Sequence, residues 1–114
     1  MEETAEQRTV AAAKRYLQMR GYEVLDELEC GSTPVIVADD CGEMVFAHVS
    51  FGFGEMPHAT FDRDRFEQMA GDYIRDNDIT DCPVRADALG IMVVADDRAL
   101  LRHTIGWSNT PEAA

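Results

Sequence analysis

Arg85 and Asp87 are spaced i, i+2, which puts both side chains on one face of a strand. A cation and a carboxylate so placed form a mutual or cross-strand ion pair that holds register, or the remnant of an edge that faces a substrate. The acids Glu29, Asp39, Asp40, Glu43 and Glu55 form a second set, close together in sequence. Carboxylates are the ligands Mg²⁺ takes alongside phosphate and water, although acids at a turn are more commonly just solvated. His48 with Cys30 is a third set, suited to a softer cation. The plainer role for His48 is a ring bonded to a neighbouring backbone group. Cys30, Cys41 and Cys82 form no CxxC pair and are odd in number. That argues against a disulfide framework and for free thiols, buried or half-buried.

The elements that must position these groups follow from periodicity. Residues 5–20 read as a helix, with Val10, Ala13, Tyr16 and Leu17 at helical spacing and Gly21 as its stop. Residues 22–28 alternate apolar and acidic, a strand with one wet face near a sheet edge. The run Val35-Ile36-Val37-Ala38 predicts a strand covered on both faces, and Asp39-Asp40-Cys41-Gly42 predicts a turn. The strand then returns over 44–49. Two glycines and a proline predict an irregular loop over 51–57. Its Phe51, Phe53 and Met56 are core edges or an exposed apolar patch that a partner could contact. Asp62 is an N-cap, Phe61 and Phe66 a hydrophobic staple, and Phe66, Met69, Ala70, Tyr73 and Ile74 one apolar stripe. Asn77-Asp78 ends that helix. A long strand over 84–94, a turn over 95–98, a last strand over 99–107 and a disordered polar tail over 108–114 complete the chain. The order predicts an α/β sandwich around a central mixed sheet, one domain over 1–107.

The chain has 114 residues and a net charge of −12, from 22 acids against 10 bases. Nucleic-acid binding rests on cations that neutralise phosphates, so this balance disfavours it unless the bases gather on one face. No apolar run reaches the roughly 20 residues of a membrane span. The acidic N-terminus has no signal-like apolar segment, so the expected compartment is the cytoplasm, with no membrane partner.

Four passages together resemble the YraN-like family of uncharacterised bacterial proteins. They are Ala13-Lys14-Arg15-Tyr16-Leu17 with Gly21-Tyr22 and Val24-Leu25; Val35–Asp39 with Val45–Val49; Asp72-Tyr73-Ile74; and Cys82-Pro83-Val84-Arg85-Ala86-Asp87. The resemblance covers about residues 8–107. It implies a restriction-endonuclease-like three-layer fold, similar to Holliday junction resolvases, in the order helix-β-β-β-helix-β-β. It also implies a PD-(D/E)xK site in which carboxylates hold Mg²⁺ and a lysine stabilises developing charge.

The chain departs from that pattern where the chemistry sits. The family's helix Glu aligns with Val10, its Gly-Glu-x-Asp with Gly31-Ser32-Thr33-Pro34, and its Glu-x-Lys with His48-Val49-Ser50. The basic entry to the second helix is Asp62-Arg63-Asp64-Arg65. Proline offers no ligand, serine no charge, and histidine suits Zn²⁺ or Mn²⁺ better than Mg²⁺. The expectation is therefore a pseudoenzyme with no cofactor, reused for protein interaction, self-association or regulation. A nucleic-acid-binding module and a divergent nuclease with relocated acids are the alternatives. Changing Pro34→Asp, His48→Glu and Ser50→Lys should restore the site's residue types in a folded chain.

Overall fold

Thr4 starts the first helix with a capping box. Its hydroxyl accepts from the Gln7 N–H at 3.1 Å, and the Gln7 side chain accepts from the Thr4 N–H at 2.8 Å. Helix α1 then runs Ala5–Met19, and Gly21, at φ +92°, turns the chain out of it. The strands are β1 (Glu23–Cys30), β2 (Thr33–Asp40) and β3 (Glu43–Phe53); after helix α2 (Arg63–Asp76) come β4 (Val84–Ala95) and β5 (Arg98–Thr104). The computed structural model describes residues 4–57, 62–95 and 98–106. The staple residue Phe61, the turn acids Asp96 and Asp97, Trp107 and the tail 108–114 lie outside them.

The sheet order is β1-β2-β3-β4-β5. Neighbours are antiparallel except β3 and β4, which run parallel because α2 crosses between them. Alternation along the strands sends side chains to two covered faces. Val10, Ala13 and Leu17 of α1 pack on Ile36, Ala38, Val45, Ala47, Val49, Leu89 and Ile91. On the other face, Phe66 and Ala70 of α2 pack on Val35, Val37, Met44, Phe46 and Ala86. The result is an α/β structure of three layers. β2 and the first part of β3 are buried on both sides, as their apolar runs predict, and β1 is the wet edge. Asp62 caps α2 by accepting from the Arg65 N–H.

The β2–β3 hairpin closes on Cys41 (φ 52°) and Gly42 (φ 93°), both left-handed, the turn whose twist matches the strands. Pro34 is the second residue of β2 and pairs with Glu29 of β1. The ladder to β3 begins one residue later, at Val35 opposite His48, so the missing N–H of Pro34 interrupts nothing there.

One expectation is corrected. Phe51-Gly52-Phe53 is strand, not irregular loop. Long β4 offers partners that far, Phe51 facing Ile91 and Phe53 facing Val93, and this pairing outweighs the local glycine signal. Gly52 is needed for another reason: a Cβ there would lie 2.8 Å from the Glu55 carbonyl oxygen as the chain folds back.

Candidate functional site

The densest polar chemistry lies on the α1 face, around Arg85 and Asp87. Their spacing does place them together: Arg85 Nε donates to Asp87 Oδ1 at 2.8 Å, and a terminal nitrogen donates to Oδ2 at 3.1 Å. Asp87 is fully buried, and its oxygens accept two further bonds, from His103 Nε2 at 2.7 Å and from the Gly106 N–H at 3.0 Å. Arg85 continues outward to Glu43 at 2.7 Å, Asp40 at 3.2 Å and the Tyr22 hydroxyl at 2.7 Å. A carboxylate only accepts, so Nε2 of His103 carries the proton. Nδ1 completes the ring's bonding with the Tyr16 hydroxyl at 2.9 Å. The rings of Tyr16 and Tyr22 both meet His103 edge-on. α1, the residue just before β1, the β2–β3 turn, β4 and β5 are thereby tied to one carboxylate–guanidinium centre.

Electrostatics follow the bonding. Burial pushes the Asp87 carboxyl up, but hydrogen bonds from His103, Arg85 and the Gly106 N–H outweigh it and bring it down to about 2. The hydrogen bond to Asp87, foremost, tightens Arg85's hold on its proton. Burial raises the Tyr22 phenol. Asp–His pairs activate nucleophiles elsewhere, but here the second ring nitrogen is taken by a phenol, and the carboxylate is saturated and closed to solvent. This cluster holds the fold together, and Asp87 presents nothing to a partner.

The four positions aligned with a nuclease site do not come together. Val35, opposite His48, belongs to the α2-side core. Pro34, one residue earlier, therefore points to the α1 side, while His48 and Ser50 point to the α2 side. Val10 is buried in the α1-side core. Two sites lie on each face, and none is a carboxylate, so these residues do not fit Mg²⁺. The burial of His48 also bears on the triple restoration, which should destabilise the chain. His48 is only 2% exposed, and a glutamate there would carry a charge into the core.

The soft-metal grouping fares no better. Cys30 lies on β1 and His48 on β3, separated by β2 and offset along it by two residues, so their backbones are more than about 10 Å apart. Among the described residues no three His, Cys, Asp or Glu side chains are grouped to hold a metal. Cys30 packs at the margin of the α2-side core, Cys41 is exposed in its turn, and the Cys82 thiol meets the Gly42 carbonyl at 3.2 Å. All three are free thiols.

Burial lowers the His48 pKa from its ordinary 6.5, so the ring is neutral in the folded chain near neutral pH. The unfolded chain takes up a proton near 6.5, and the folded chain only at lower pH. Stability from this position is thus complete above about pH 6.5 and declines as pH falls toward the folded value. Urea unfolding at several pH values should show His48→Leu losing less stability than the parent on acidification through that window. Parallel stability–pH curves for the two would refute it.

Phe51, Phe53 and Met56 divide between the two roles foreseen for them. Phe51 packs against the α1-side core and meets Phe53 edge-on at 5.9 Å. Met56 sits over Gly90, where an added Cβ would lie 3.3 Å from its sulfur. Phe53 alone is presented to solvent, 65% exposed.

Sequence reasoning missed His103 as a partner of Asp87, Tyr16 as a partner of His103 and Tyr22 as a partner of Arg85. The available signal was an acid inside the apolar run over 86–94, which has to find donors if it is buried. No protein-family model matches the chain, and no curated protein matches it.

Proposed function

We propose that this chain is a binding or regulatory domain on a restriction-endonuclease-like scaffold, without metal-dependent cleavage. The order helix-β-β-β-helix-β-β around a five-stranded mixed sheet is what the resemblance to the YraN-like family implies. The observation that carries the reading is the fate of the convergent acids. Asp40, Glu43 and Asp87 all bond Arg85. In a metal-dependent nuclease such carboxylates share a divalent cation that activates water. Here a covalently attached guanidinium takes the place of such a cation among them and brings no exchangeable water.

Purified protein with Mg²⁺ or Mn²⁺ should leave duplex, branched and single-stranded DNA uncut above background. Metal-dependent cleavage that vanishes in Asp40→Ala or Glu43→Ala would establish a relocated site instead. One observation favours a second reading, a nucleic-acid-binding module without catalysis: Arg8, Arg15 and Arg98 line a common groove. Against it stands the charge of −12. Three cations also give a shallow salt slope and little affinity for a duplex, whose specific binders make roughly 6–10 phosphate contacts. DNA affinity at about 150 mM salt should therefore be weak, and a submicromolar dissociation constant with a steep salt slope would support the second reading.

A further inference from the structure

The groove lies on the α1 face, between α1 from Ala5 to Arg15, the ends of β3 and β4 and the start of β5, and has a volume of about 830 Å³. Its formation follows from residue size and from the register of the folded sheet. Phe53 pairs with Val93, which pairs in turn with Ala99, so the three form one row across the sheet. That row lies beyond the last core residues, Phe51, Ile91 and Leu101. Above it α1 presents alanines, Ala12 among them, and side chains this short leave the space between helix and sheet unfilled. The floor is therefore apolar, with one exposed aromatic ring.

The rim is cationic. Arg8 and Arg15 are two helical turns apart, about 10 Å along α1, and Arg98, at the start of β5, also lines the groove. Among the described residues no carboxylate lies within ion-pair range of any of the three. In a chain with 22 acids and 10 bases, three guanidiniums with no carboxylate partner among the described residues, lining one apolar groove, stand out. Guanidinium groups match carboxylate and phosphate in shape as well as charge. The volume is that of a small-molecule site, roughly 300–1,000 Å³, and far larger than an inorganic anion fills.

We propose that this groove binds a small amphiphilic anion, an aliphatic or aromatic carbon body carrying a carboxylate or phosphate. The body would lie on Phe53 and Ala99 and the acid between the arginines. This deepens the binding reading above by naming its ligand, and it is tested separately, since failure to bind would leave the cleavage assays as they stand.

The test is titration calorimetry of the intact chain with octyl phosphate and decanoate, beside octanol, inorganic phosphate and a short oligothymidylate. Both amphiphiles should bind saturably, one per chain, with dissociation constants of about 1 mM or tighter. Octanol lacks the charge and phosphate lacks the body, so each should bind about tenfold more weakly or not at all. Arg15→Ala combined with Arg98→Ala should weaken octyl phosphate by about tenfold or more. Phe53→Ala should weaken it severalfold, and Arg75→Ala, on exposed α2, should change nothing. All four positions are exposed and outside the Asp87 cluster, so circular dichroism should show these variants folded. Three results overturn the proposal: no saturable binding of either amphiphile, binding indifferent to the arginine pair, or an oligothymidylate that binds more tightly than both.

Discussion

Asp87→Ala should destabilise the fold by about 3–5 kcal/mol, the cost of removing one partner from a buried ion pair. In a domain of this size that is a fall in Tm on the order of 15 °C. Asp87 is fully buried and accepts from Arg85, His103 and the Gly106 N–H. Removing it leaves a guanidinium, an imidazole N–H and a backbone N–H without their shared acceptor. Arg85 would keep Asp40 and Glu43, which are nearer solvent, so the loss should fall mainly on the α1–β5 side. Asp87→Asn, which keeps the shape and one acceptor, should cost less than alanine. The double change Arg85→Met, Asp87→Leu should recover part of the loss, because it removes both charges together. The pH dependence has a definite sign. The folded carboxyl, at about 2, lies below its ordinary 3.8, so its contribution is complete above about pH 4 and disappears as pH falls through 2. Acid unfolding of the parent should carry a component in that window that Asp87→Ala lacks. Urea unfolding checks the main claim, and an alanine variant within about 1 kcal/mol of the parent would sink it.

The legible parts of this molecule are those whose signal is local. The stripe from Phe66 to Ile74 names the buried face of α2, Gly21 marks the end of α1, and the run Val35–Ala38 announces a strand covered on both sides. The end of β3 was not legible. Whether Phe51-Gly52-Phe53 is strand or loop depends on the length of β4, some 40 residues later in the chain. The Arg85–Asp87 pair was readable from its spacing, but not its completion. His103 comes from the last strand and Tyr16, which bonds the other ring nitrogen of His103, from the first helix, and only the folded sheet brings them into one chain of bonds to Asp87. The groove was hidden for a related reason. Arg8, Arg15 and Arg98 look dispersed in sequence, and the Ala11-Ala12 pair is ordinary helix composition until it is set above a row of sheet residues that it cannot fill.

The triple change Pro34→Asp, His48→Glu, Ser50→Lys should cost the fold several kcal/mol and assemble no metal site. Most of the loss should come from one substitution. His48 is 2% exposed and stands between Val35 of β2 and Ala88 of β4, where a glutamate must either enter the core charged or take up a proton. His48→Glu alone should therefore be destabilised by about 3 kcal/mol or more at neutral pH, with part of that recovered on acidification as the carboxyl protonates. Pro34→Asp acts on the opposite face. It places a carboxylate across from Glu29 on β1, and like charges in direct cross-strand register repel by up to about 1 kcal/mol. The two new acids would be separated by the sheet itself, so no Mg²⁺ could bridge them while Val35 stays opposite His48. Thermal unfolding of the three single variants and the triple, followed by Mg²⁺ calorimetry on whatever remains folded, checks each step. A stable triple variant that binds Mg²⁺ and cuts DNA would require Pro34 and His48 to share a face. That is a one-residue slip of β2 on β3, which would invert both cores.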